Sequence, residues 1–345
     1  MDNPLEADLN DILDHTRDLW EELRGERIFI TGGTGFFGCW LLESLTWVND
    51  RLGLRTSAVV LTRNPEAFRF KAPHLSCHPA LQFIKGDVRT FDFPTGSFSH
   101  LIHAAADASA KLNVEKPLEM FDTIVSGTRR TLDFALQSGV RKFLFVSSGA
   151  VYGKQPPELT HIPEDYTGAP DPTDPLSTYG EGKRAAELLC TLYTKQSGLE
   201  VKIARCFAFV GPYLPLDAHF AIGNFIRDGL KGGPIRVNGD GTPLRSYLYA
   251  ADLMVWLWTI LMKGQSCRPY NVGSEDKITI ANLAHVVARF FNPRLDVIIS
   301  KVPLSYLNPE AYIPDTSRAR SELDLITDVN LSTAIEKTIA FYQRI

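Results

Sequence analysis

One segment near the N-terminus restricts the possible folds more than any other part of the chain. A short apolar strand pattern at 27–30 runs into a loop with Gly32, Gly35 and Gly38, and a helical pattern follows at 39–49. In such a segment the first glycine permits a tight turn, the second lets the backbone approach a pyrophosphate, and the third lets the helix pack closely on the sheet. The free N–H groups at the helix start attract anions. We therefore predict a dinucleotide-binding loop here.

Strand and helix patterns alternate along much of the chain. This alternation implies right-handed crossovers and a parallel sheet covered on both faces. The predicted fold class is α/β: a Rossmann-like doubly wound parallel sheet with a smaller C-terminal substrate lobe built from insertions. The predicted strands are 27–30, 57–61, 81–84, 100–103, 142–147, 201–205, 247–249 and 270–272, and the predicted helices include 5–23, 39–49, 117–138 and 177–197.

The same patterns divide the chain into three parts. Residues 1–24 are predicted to form an N-terminal amphipathic helical extension that packs on the body of its own subunit, with partner binding as the alternative. The dinucleotide-binding domain is predicted at 25–206 plus about 245–273. The substrate-binding lobe is predicted at about 207–244 plus 274–345, where the strand–helix rhythm loosens and glycine and proline cluster.

The charge balance and the cysteines exclude several classes of protein. The 345 residues include 36 Lys and Arg against 40 Asp and Glu, so the basic excess of a nucleic-acid-binding protein is missing. The longest strongly apolar run, 253–262, is too short to cross a membrane, and the acidic N-terminus does not resemble a signal peptide. Five scattered cysteines without CxxC spacing predict neither a metal site nor disulfides, and they are typical of a cytoplasmic protein.

The residues after the second and third predicted strands bear on the choice of cofactor. An acidic residue after the second strand would bind the ribose 2′-hydroxyl of NAD. This sequence instead has Arg63, whose planar guanidinium pairs well with a 2′-phosphate, although a solvated surface arginine is the alternative. Asp87, after the third strand, is a candidate acceptor for the adenine amino group, with a turn or cap as the alternative. We expect NADP, with NAD as the alternative.

A tyrosine–lysine pair carries the candidate chemistry. Tyr179 and Lys183 are four residues apart in a predicted helix and therefore lie on one face. A free tyrosine titrates near ~10, and a nearby ammonium group lowers the pKa of the phenol toward the range of useful proton transfer. Ser148 follows a predicted strand, at the sheet edge where ligands bind. The lysine is also a candidate partner for the nicotinamide ribose.

Together these motifs resemble the extended short-chain dehydrogenase/reductase family, which includes sugar-nucleotide epimerases and dehydratases. The resemblance covers the chain from residue 25 onward. It implies that Ser148, Tyr179 and Lys183 are catalytic. It implies cofactor contacts for Gly32, Gly35, Phe36, Phe37, Gly38, Arg63, Asp87, Val88, Ala104, Ala105, Ala106, Tyr179 and Lys183. It implies substrate contacts for Ser148, Gly149, Asn224, Arg245 and Asn271.

Two positions in the pattern bear on the reaction. Dehydratases and decarboxylases of the family place acidic residues where this chain has Gly149 and Ala150. Loss of a general acid or base lowers a rate by about 10²–10⁴, which argues against both reactions. The resemblance then implies a 4-ketoreductase that acts on a nucleoside-diphosphate 4-keto-6-deoxy sugar. The alternatives are a 4-epimerase with tightly bound NAD, a 4,6-dehydratase, and a non-catalytic dinucleotide-binding sensor.

The resemblance also implies partners. It suggests a nucleotide-diphosphate sugar from lipopolysaccharide or capsule biosynthesis, and a homodimer joined through a four-helix bundle. The predicted helices 117–138 and 177–197 would form this bundle, although packing within one subunit would give the same pattern. The candidate contact residues on the second helix are Leu188, Leu189, Leu192 and Tyr193.

Overall fold

The computed structural model describes residues 3–105, 110–218, 220–302 and 309–344. The strands are β1 (Arg27–Thr31), β2 (Ser57–Thr62), β3 (Leu81–Lys85), β4 (His100–His103), β5 (Lys142–Ser148), β6 (Glu200–Cys206), β7 (Phe209–Val210), β8 (Ile235–Val237), β9 (Leu244–Arg245), β10 (Leu248–Tyr249), β11 (Pro269–Val272), β12 (Ile278–Thr279), β13 (Val297–Ile299) and β14 (Ala311–Tyr312). The α-helices are α1 (Glu6–Thr16), α2 (Phe36–Leu52), α3 (Pro65–Lys71), α4 (Pro73–Ser76), α5 (Ala110–Glu115), α6 (Pro117–Gln137), α7 (Thr178–Ser197), α8 (Ala221–Leu230), α9 (Ala250–Lys263), α10 (Ile280–Ala288), α11 (Ser317–Leu323) and α12 (Leu331–Tyr342). Short 3₁₀ helices cover Arg17–Leu23, Gly149–Tyr152 and Pro175–Ser177.

A seven-stranded parallel sheet forms the centre of the molecule, in the order β11-β6-β5-β4-β1-β2-β3. Successive residues of its strands face opposite hydrophobic clusters. Ile30 and Ile102 face a cluster that includes α2 and α9, whereas Phe29 and Leu101 face one that includes α6 and α7. Both faces are therefore covered, and the predicted Rossmann-like α/β class is confirmed.

The strand order reverses between β1 and β4. In doubly wound sheets the crevice at such a reversal, beyond the carboxyl ends of the strands, is where ligands bind. The glycine loop follows β1, and the 104–105 segment follows β4. Ser148 is the last residue of the adjacent β5. The topology therefore brings the predicted cofactor loop and the predicted catalytic serine to one edge.

The N-terminal extension is part of the core. The predicted helix at 5–23 consists of α1 followed by the Arg17–Leu23 3₁₀ helix. Leu9 and Ile12 are fully buried. The buried carboxylate of Asp8 accepts a hydrogen bond from the Tyr249 phenol at 2.8 Å. The extension thus packs on its own subunit, which is the first of the two predicted roles.

The segments that follow β6 build smaller sheets. The pattern at 247–249 and 270–272 predicts a return to the main body; β11 indeed joins the main sheet beside β6, whereas β10 pairs with β7. β9 lies between β12 and β14 in a three-stranded sheet, and β8 pairs with β13. The assignment of these pieces to a separate substrate lobe stays a prediction. In the described ranges no helix combines the length and the apolar character that a membrane crossing needs.

Candidate active site

The glycine loop is folded tightly enough that glycine is needed at two of its positions. Gly32 has a φ of +73°, and a Cβ atom there would lie 2.5 Å from the carbonyl oxygen of Ala104. A Cβ atom on Gly38 would lie 2.3 Å from the carbonyl oxygen of Gly32. Gly35 is the N-cap of α2, no side chain caps this helix, and its first turn holds no acidic residue. The loop and the helix start therefore fit the pyrophosphate of a dinucleotide.

The segment after β4 is fixed against this loop by a chain of hydrogen bonds. The Thr31 hydroxyl lies 2.7 Å from Nδ1 of His103, and Nε2 of His103 lies 3.0 Å from the Thr128 hydroxyl. The Ala105 N–H donates to the Thr31 hydroxyl at 3.2 Å. Burial lowers the pKa of His103 to about 3, so this ring is neutral and acts as a structural link. Ala104 and Ala105 thus border the loop, and their contact with a cofactor stays a prediction, while Ala106 lies outside the described residues.

Two more predicted cofactor contacts begin α2. Phe36 and Phe37 form its first turn, and the ring of Phe37 meets the ring of Phe209 edge-on at 5.0 Å. Val88 is buried against the position of Gly127, where a Cβ atom would approach it to 2.7 Å. Phe36 and Phe37 pack against the hydrophobic cluster that includes α2 and α9, whereas Val88 belongs to the cluster that includes α6. Their contact with a cofactor stays a prediction.

Cationic groups gather near the ends of β2 and β3. Lys71 donates a hydrogen bond to the carbonyl oxygen of Thr34, within the glycine loop, at 3.0 Å. The Asp87 carboxylate receives two hydrogen bonds from the Arg89 guanidinium, at 2.9 and 2.8 Å, and one from the Arg89 N–H at 2.9 Å. Arg89, with a smaller contribution from Arg63, lowers the pKa of this carboxyl. Asp87 therefore forms a turn with Arg89, and its contact with the adenine stays a prediction.

Tyr179 and Ser148 meet where β5 ends and α7 begins. Ser148 is the last residue of β5, and Tyr179, in the first turn of α7, is partly buried against the cluster that includes α6. Desolvation raises the pKa of Tyr179 to about 12, and the nearby Ser148 hydroxyl opposes part of that shift. The Ser148 oxygen also accepts a hydrogen bond from the Ala150 N–H at 3.1 Å. The phenol is consequently protonated at neutral pH.

Lys183 lies on the same face of α7 but is turned toward the sheet. It is 3% exposed, and its Nζ donates to the Val146 carbonyl oxygen at 2.7 Å. Its Nζ lies 5.9 Å from the centre of the Tyr179 ring, and burial lowers the pKa of Lys183 to about 8. The expectation that this ammonium lowers the pKa of the phenol is therefore wrong for this arrangement, because burial dominates and the ammonium is bonded to β5.

Beside Tyr179 lies a cavity of about 640 Å³. The cavity also borders Ala150, which lies two residues after Ser148. The residues that line it include Asn113, Ala150, Asp171, Asp174, Tyr179 and Tyr312. Asn113 fixes the start of α7, because its amide accepts a hydrogen bond from the Tyr179 N–H at 3.2 Å and donates to Leu176 O at 2.9 Å.

A buried polar network supports the strand end that carries Ser148. The Ser147 hydroxyl donates to Glu187 at 2.5 Å, and Glu187 pairs with Arg205 at 2.7 Å. Arg205 in turn donates to the Tyr152 phenol at 2.9 Å. Such a network is stable only when every member is satisfied, and it then restricts the neighbouring backbone to one conformation.

The predicted substrate contact Asn271 belongs to this network and not to the cavity. It is fully buried. Its amide oxygen accepts from the Tyr152 phenol at 2.8 Å, and its amide nitrogen donates to the carbonyl oxygens of Ile162 and Asp315 at 2.8 and 2.9 Å. The side chain has no free group for a substrate, so the structure replaces the predicted contact with a supporting role.

The other predicted substrate contacts lie on different elements of the fold. The Arg245 guanidinium pairs with Glu310 at 2.6 Å and lies 6.0 Å from the centre of the Tyr312 ring. Asn224, on α8, accepts a hydrogen bond from Arg227 at 2.9 Å. Gly149 directly follows Ser148 and faces the Tyr312 phenol. Binding of substrate by these residues stays a prediction.

The sequence was compared with known proteins. The sequence model of the NAD dependent epimerase/dehydratase family matches residues 28–273. UDP-glucuronic acid decarboxylase 1 of Arabidopsis thaliana is 31% identical over 92% of this chain and 70% of its own length. The protein of the same name from Danio rerio is 31% identical over 92% of this chain and 73% of its own length. The chain belongs to the NAD-dependent epimerase/dehydratase family.

Solved structures of similar proteins share the fold. An epimerase from Methanothermobacter thermautotrophicus superimposes with a TM-score of 0.80 at 19% identity, over 96% of both chains. A variant of UDP-glucuronic acid 4-epimerase from Bacillus cereus, solved with NAD, gives a TM-score of 0.78 at 22% identity over 92% of this chain and 99% of that one. This chain is accordingly an NAD(P)-dependent epimerase or oxidoreductase of the extended short-chain dehydrogenase/reductase type.

Sequence analysis missed two residues of this family member's site. Tyr312 reaches the cavity from the C-terminal part of the chain, and Asn113 reaches the start of α7 from the short helix α5. No local pattern identifies either residue, because their contacts depend on how distant segments fold together. The sequence contained one indication of a second side chain at the site: Gly149 has no side chain and so leaves room next to Ser148 for a residue from elsewhere in the chain.

Proposed function

We propose that this chain is a 4-ketoreductase that acts on a nucleoside-diphosphate 4-keto-6-deoxy sugar. One observation carries the proposal. Tyr179 lines a cavity, with Ser148 at the end of β5 and Lys183 one turn further along α7, while the two positions after Ser148, Gly149 and Ala150, have no group that can transfer a proton. Hydride transfer with one proton relay needs only the serine, the tyrosine and the lysine. Dehydration and decarboxylation in this family also use an acidic residue at the positions that Gly149 and Ala150 occupy here.

The chain's own residues account for the proton side of such a reduction. A nicotinamide cofactor held by the glycine loop would supply the hydride at the sugar carbon. Tyr179, kept protonated by burial, donates its proton to the oxygen of that carbon as the carbonyl becomes a hydroxyl. Ser148 donates a hydrogen bond to the same oxygen and orients the carbonyl. The hydrogen bond from Lys183 to the Val146 carbonyl oxygen joins α7 to β5. The remaining N–H groups of Lys183 are available to the cofactor ribose.

The relatives named as UDP-glucuronic acid decarboxylases make decarboxylation the obvious competitor. Two carboxylates do line the cavity, from Asp171 and Asp174. Both are solvent-exposed turn residues. Asp171 accepts hydrogen bonds from the Thr173 N–H and hydroxyl at 2.8 and 2.7 Å, and Asp174 caps the turn at Leu176 at 2.9 Å. Neither replaces a buried acid placed directly after Ser148.

A 4-epimerase with tightly bound NAD is the second candidate. The family match favours it, since the chain belongs to a family of NAD-dependent epimerases and dehydratases. The same phenol and serine that protonate an oxygen in a reduction remove the proton in the reverse step. The distinction between the two candidates therefore lies in net cofactor consumption.

The test is mass spectrometry of reactions with UDP-, dTDP-, GDP- and CDP-linked 4-keto-6-deoxy sugars, with NADPH and NADH compared. We expect one keto sugar to gain two hydrogens while NADPH is consumed in equal amount. Interconversion of two nucleotide sugars without added cofactor would replace the reductase by the epimerase. Release of CO₂ from UDP-glucuronic acid would exclude both candidates.

We further infer a preference for NADP over NAD. Arg63 follows β2, where an acidic residue would favour NAD, and Lys71 adds a second cation beside the loop. Arg63→Ala is expected to weaken NADPH binding by about tenfold, the effect of one charge-assisted hydrogen bond, and to leave NADH binding unchanged. Arg69→Ala, which removes an arginine of α3 paired with Glu66 at 3.6 Å, is the matched control for isothermal titration calorimetry. Equal losses for both cofactors would contradict the inference.

We also infer a homodimer through α6 and α7. These helices pack together and leave Leu118 80% exposed and Leu188 59% exposed, with Leu192 also exposed. Leu189 and Tyr193 pack inward on the subunit's own core instead. Light scattering is expected to give twice the chain mass, and Leu188→Glu to give monomers. Ile326→Glu is the control, because Ile326 is an exposed apolar side chain of similar size outside α6 and α7, and this variant is expected to stay dimeric.

A further inference from the structure

A buried carboxylate connects the helix that follows the glycine loop with a segment much further along the chain. Glu43 lies near the middle of α2 and is 3% exposed. One of its oxygens accepts a hydrogen bond from the Tyr213 phenol at 2.6 Å, and the same oxygen lies 2.7 Å from Nε2 of His74. Neither candidate reaction described above assigns a role to this cluster.

Tyr213 has a backbone conformation that its residue type rarely adopts. Its φ is +69°, in the left-handed region that favours glycine. Such a conformation persists only where the surrounding structure holds it. Burial, with a further contribution from Glu43, raises the pKa of the phenol, which therefore stays protonated and donates the hydrogen bond. The ring of Tyr213 also meets the ring of Phe341 edge-on at 5.1 Å. Contacts with distant elements thus fix this turn.

Two more contacts connect the turn with the cofactor side of the molecule. Trp40, also on α2, donates from its indole N–H to the Pro212 carbonyl oxygen at 2.8 Å. Lys71 donates to the Thr34 carbonyl oxygen in the glycine loop at 3.0 Å, and its Nζ lies 5.9 Å from the centre of the Tyr213 ring. The turn is therefore bonded to α2 at two places and lies close to a side chain that is bonded to the loop.

The residues after this turn are bonded to α8, which holds a predicted substrate contact. The Leu216 carbonyl oxygen accepts a hydrogen bond from Nη1 of Arg227 at 3.4 Å, and the same nitrogen donates to the Asn224 side chain at 2.9 Å. The Pro215 carbonyl oxygen lies against Gly223, where a Cβ atom would approach it to 2.9 Å. A continuous series of contacts therefore runs from α2 to Asn224.

Such a series of contacts gives two binding sites a physical reason to affect each other. Packed side chains and rigid helices transmit order between distant sites. When a first ligand has ordered a segment, a second ligand that needs the same segment loses less conformational entropy and binds more tightly. A dinucleotide at the glycine loop would hold the start of α2. The segment held by α2 then leads to the predicted substrate side.

We propose that the hydrogen bond between Tyr213 and Glu43 couples the two binding sites, so that a dinucleotide at the glycine loop orders residues 212–216 and tightens the binding of a nucleoside diphosphate. Tyr213 is a positioning residue in this arrangement, because it acts through the segment that it holds. The coupling rests on the proposed function, since it needs both ligands. The ordering of the segment needs the cofactor alone.

Hydrogen–deuterium exchange tests the ordering. Saturating NADP or NAD, whichever binds more tightly, is expected to slow exchange in the peptide that contains residues 212–216 by about fivefold. Tyr213→Phe keeps the ring and removes the hydroxyl, and it is expected to abolish this slowing while the glycine loop is still protected. Tyr342→Phe is the matched control, because that phenol donates to the Leu214 carbonyl oxygen at 2.5 Å from α12 and not from α2. The control is expected to keep the slowing. Equal slowing in Tyr213→Phe and the starting protein, or no slowing in either, would overturn the proposal.

Calorimetry tests the coupling. The affinity for UDP, dTDP, GDP or CDP, whichever binds most tightly, is measured with and without saturating cofactor. The cofactor is expected to tighten this binding about fivefold in the starting protein and to have no effect in Tyr213→Phe. Glu43→Gln retains an oxygen that accepts from the phenol, and it is expected to keep the coupling. A fall in both affinities in Tyr213→Phe with the coupling unchanged would show a merely structural role and overturn the proposal.

Failure of this proposal and failure of the proposed function give different results. A chain that shows the coupling but reduces no keto sugar would retain the proposal and lose the proposed function. A chain that reduces a keto sugar without the coupling would do the reverse. Absence of binding of any dinucleotide or nucleoside diphosphate would refute both.

Discussion

Tyr179→Phe is expected to lower turnover by about 10²–10⁴-fold, the range for loss of a general acid. The phenol is the proton donor of the proposed reduction, and burial keeps it protonated at neutral pH. The variant retains the ring, which packs in the cluster with α6, so the fold is preserved. The measurement is kcat on the keto sugar identified by mass spectrometry.

Cofactor affinity separates a chemical role of Tyr179 from a structural one. The dissociation constant for NADPH is expected to stay within about twofold of the starting protein, because the phenol contributes no charged group to the phosphates. Tyr270→Phe supplies the control for removal of a buried hydroxyl remote from the cavity. Turnover that stays within tenfold in Tyr179→Phe would remove this residue from the mechanism.

Gly38→Ala is expected to abolish dinucleotide binding at any practical concentration, a loss of more than about 100-fold, and to lower the free energy of unfolding by about 1–3 kcal/mol. The new methyl group would lie 2.3 Å from Gly32 O and 2.3 Å from Gly33 Cα. These are backbone atoms that no rotamer change can move away. The loop has to open, and its N–H groups then no longer converge on the pyrophosphate.

Gly35→Ala separates loss of the cofactor from loss of stability. A Cβ atom at Gly35 meets only the Gly32 oxygen, at an ordinary 3.5 Å, and the backbone there is extended, at φ −79° and ψ −170°. We expect its unfolding free energy to change by less than about 1 kcal/mol, as for an alanine at an N-cap, while cofactor affinity falls. Gly239→Ala, where the nearest atom is 4.0 Å away, is the control for both. Wild-type cofactor affinity in Gly38→Ala, measured by calorimetry, would contradict the assignment of the loop.

The pKa of Tyr179 shows where local pattern reasoning was insufficient. Spacing placed Tyr179 and Lys183 on one helix face correctly, since both follow the helical period. It could not show that the ammonium turns to Val146 O on β5, or that burial of the phenol outweighs any neighbouring charge. Burial and partner choice depend on elements from elsewhere in the chain, and a spacing of four residues contains no information on either.

Asn271 and Tyr312 show, in opposite ways, that sequence patterns do not reveal which polar side chains face the cavity. Asn271 lies at a position that the family resemblance connects with substrate, yet its amide is fully used within a buried network. No sequence motif singles out Tyr312, yet β14 brings it to the cavity, beside Gly149. Whether a polar side chain faces a cavity or a neighbour is decided by packing across long sequence separations.

The sequence by itself determined the layered α/β sheet and the glycine turn after β1, and it pointed to Ser148, Tyr179 and Lys183 as candidates, because each depends on local periodicity or on residues close together in the chain. Alternating apolar strands and amphipathic helices leave few ways to bury their surfaces, and the doubly wound sheet is one of them. The tertiary structure alone decided the protonation of Tyr179, the supporting role of Asn271 and the arrival of Tyr312 beside Gly149. These depend on desolvation and on contacts between residues more than a hundred positions apart, which only the folded chain brings together.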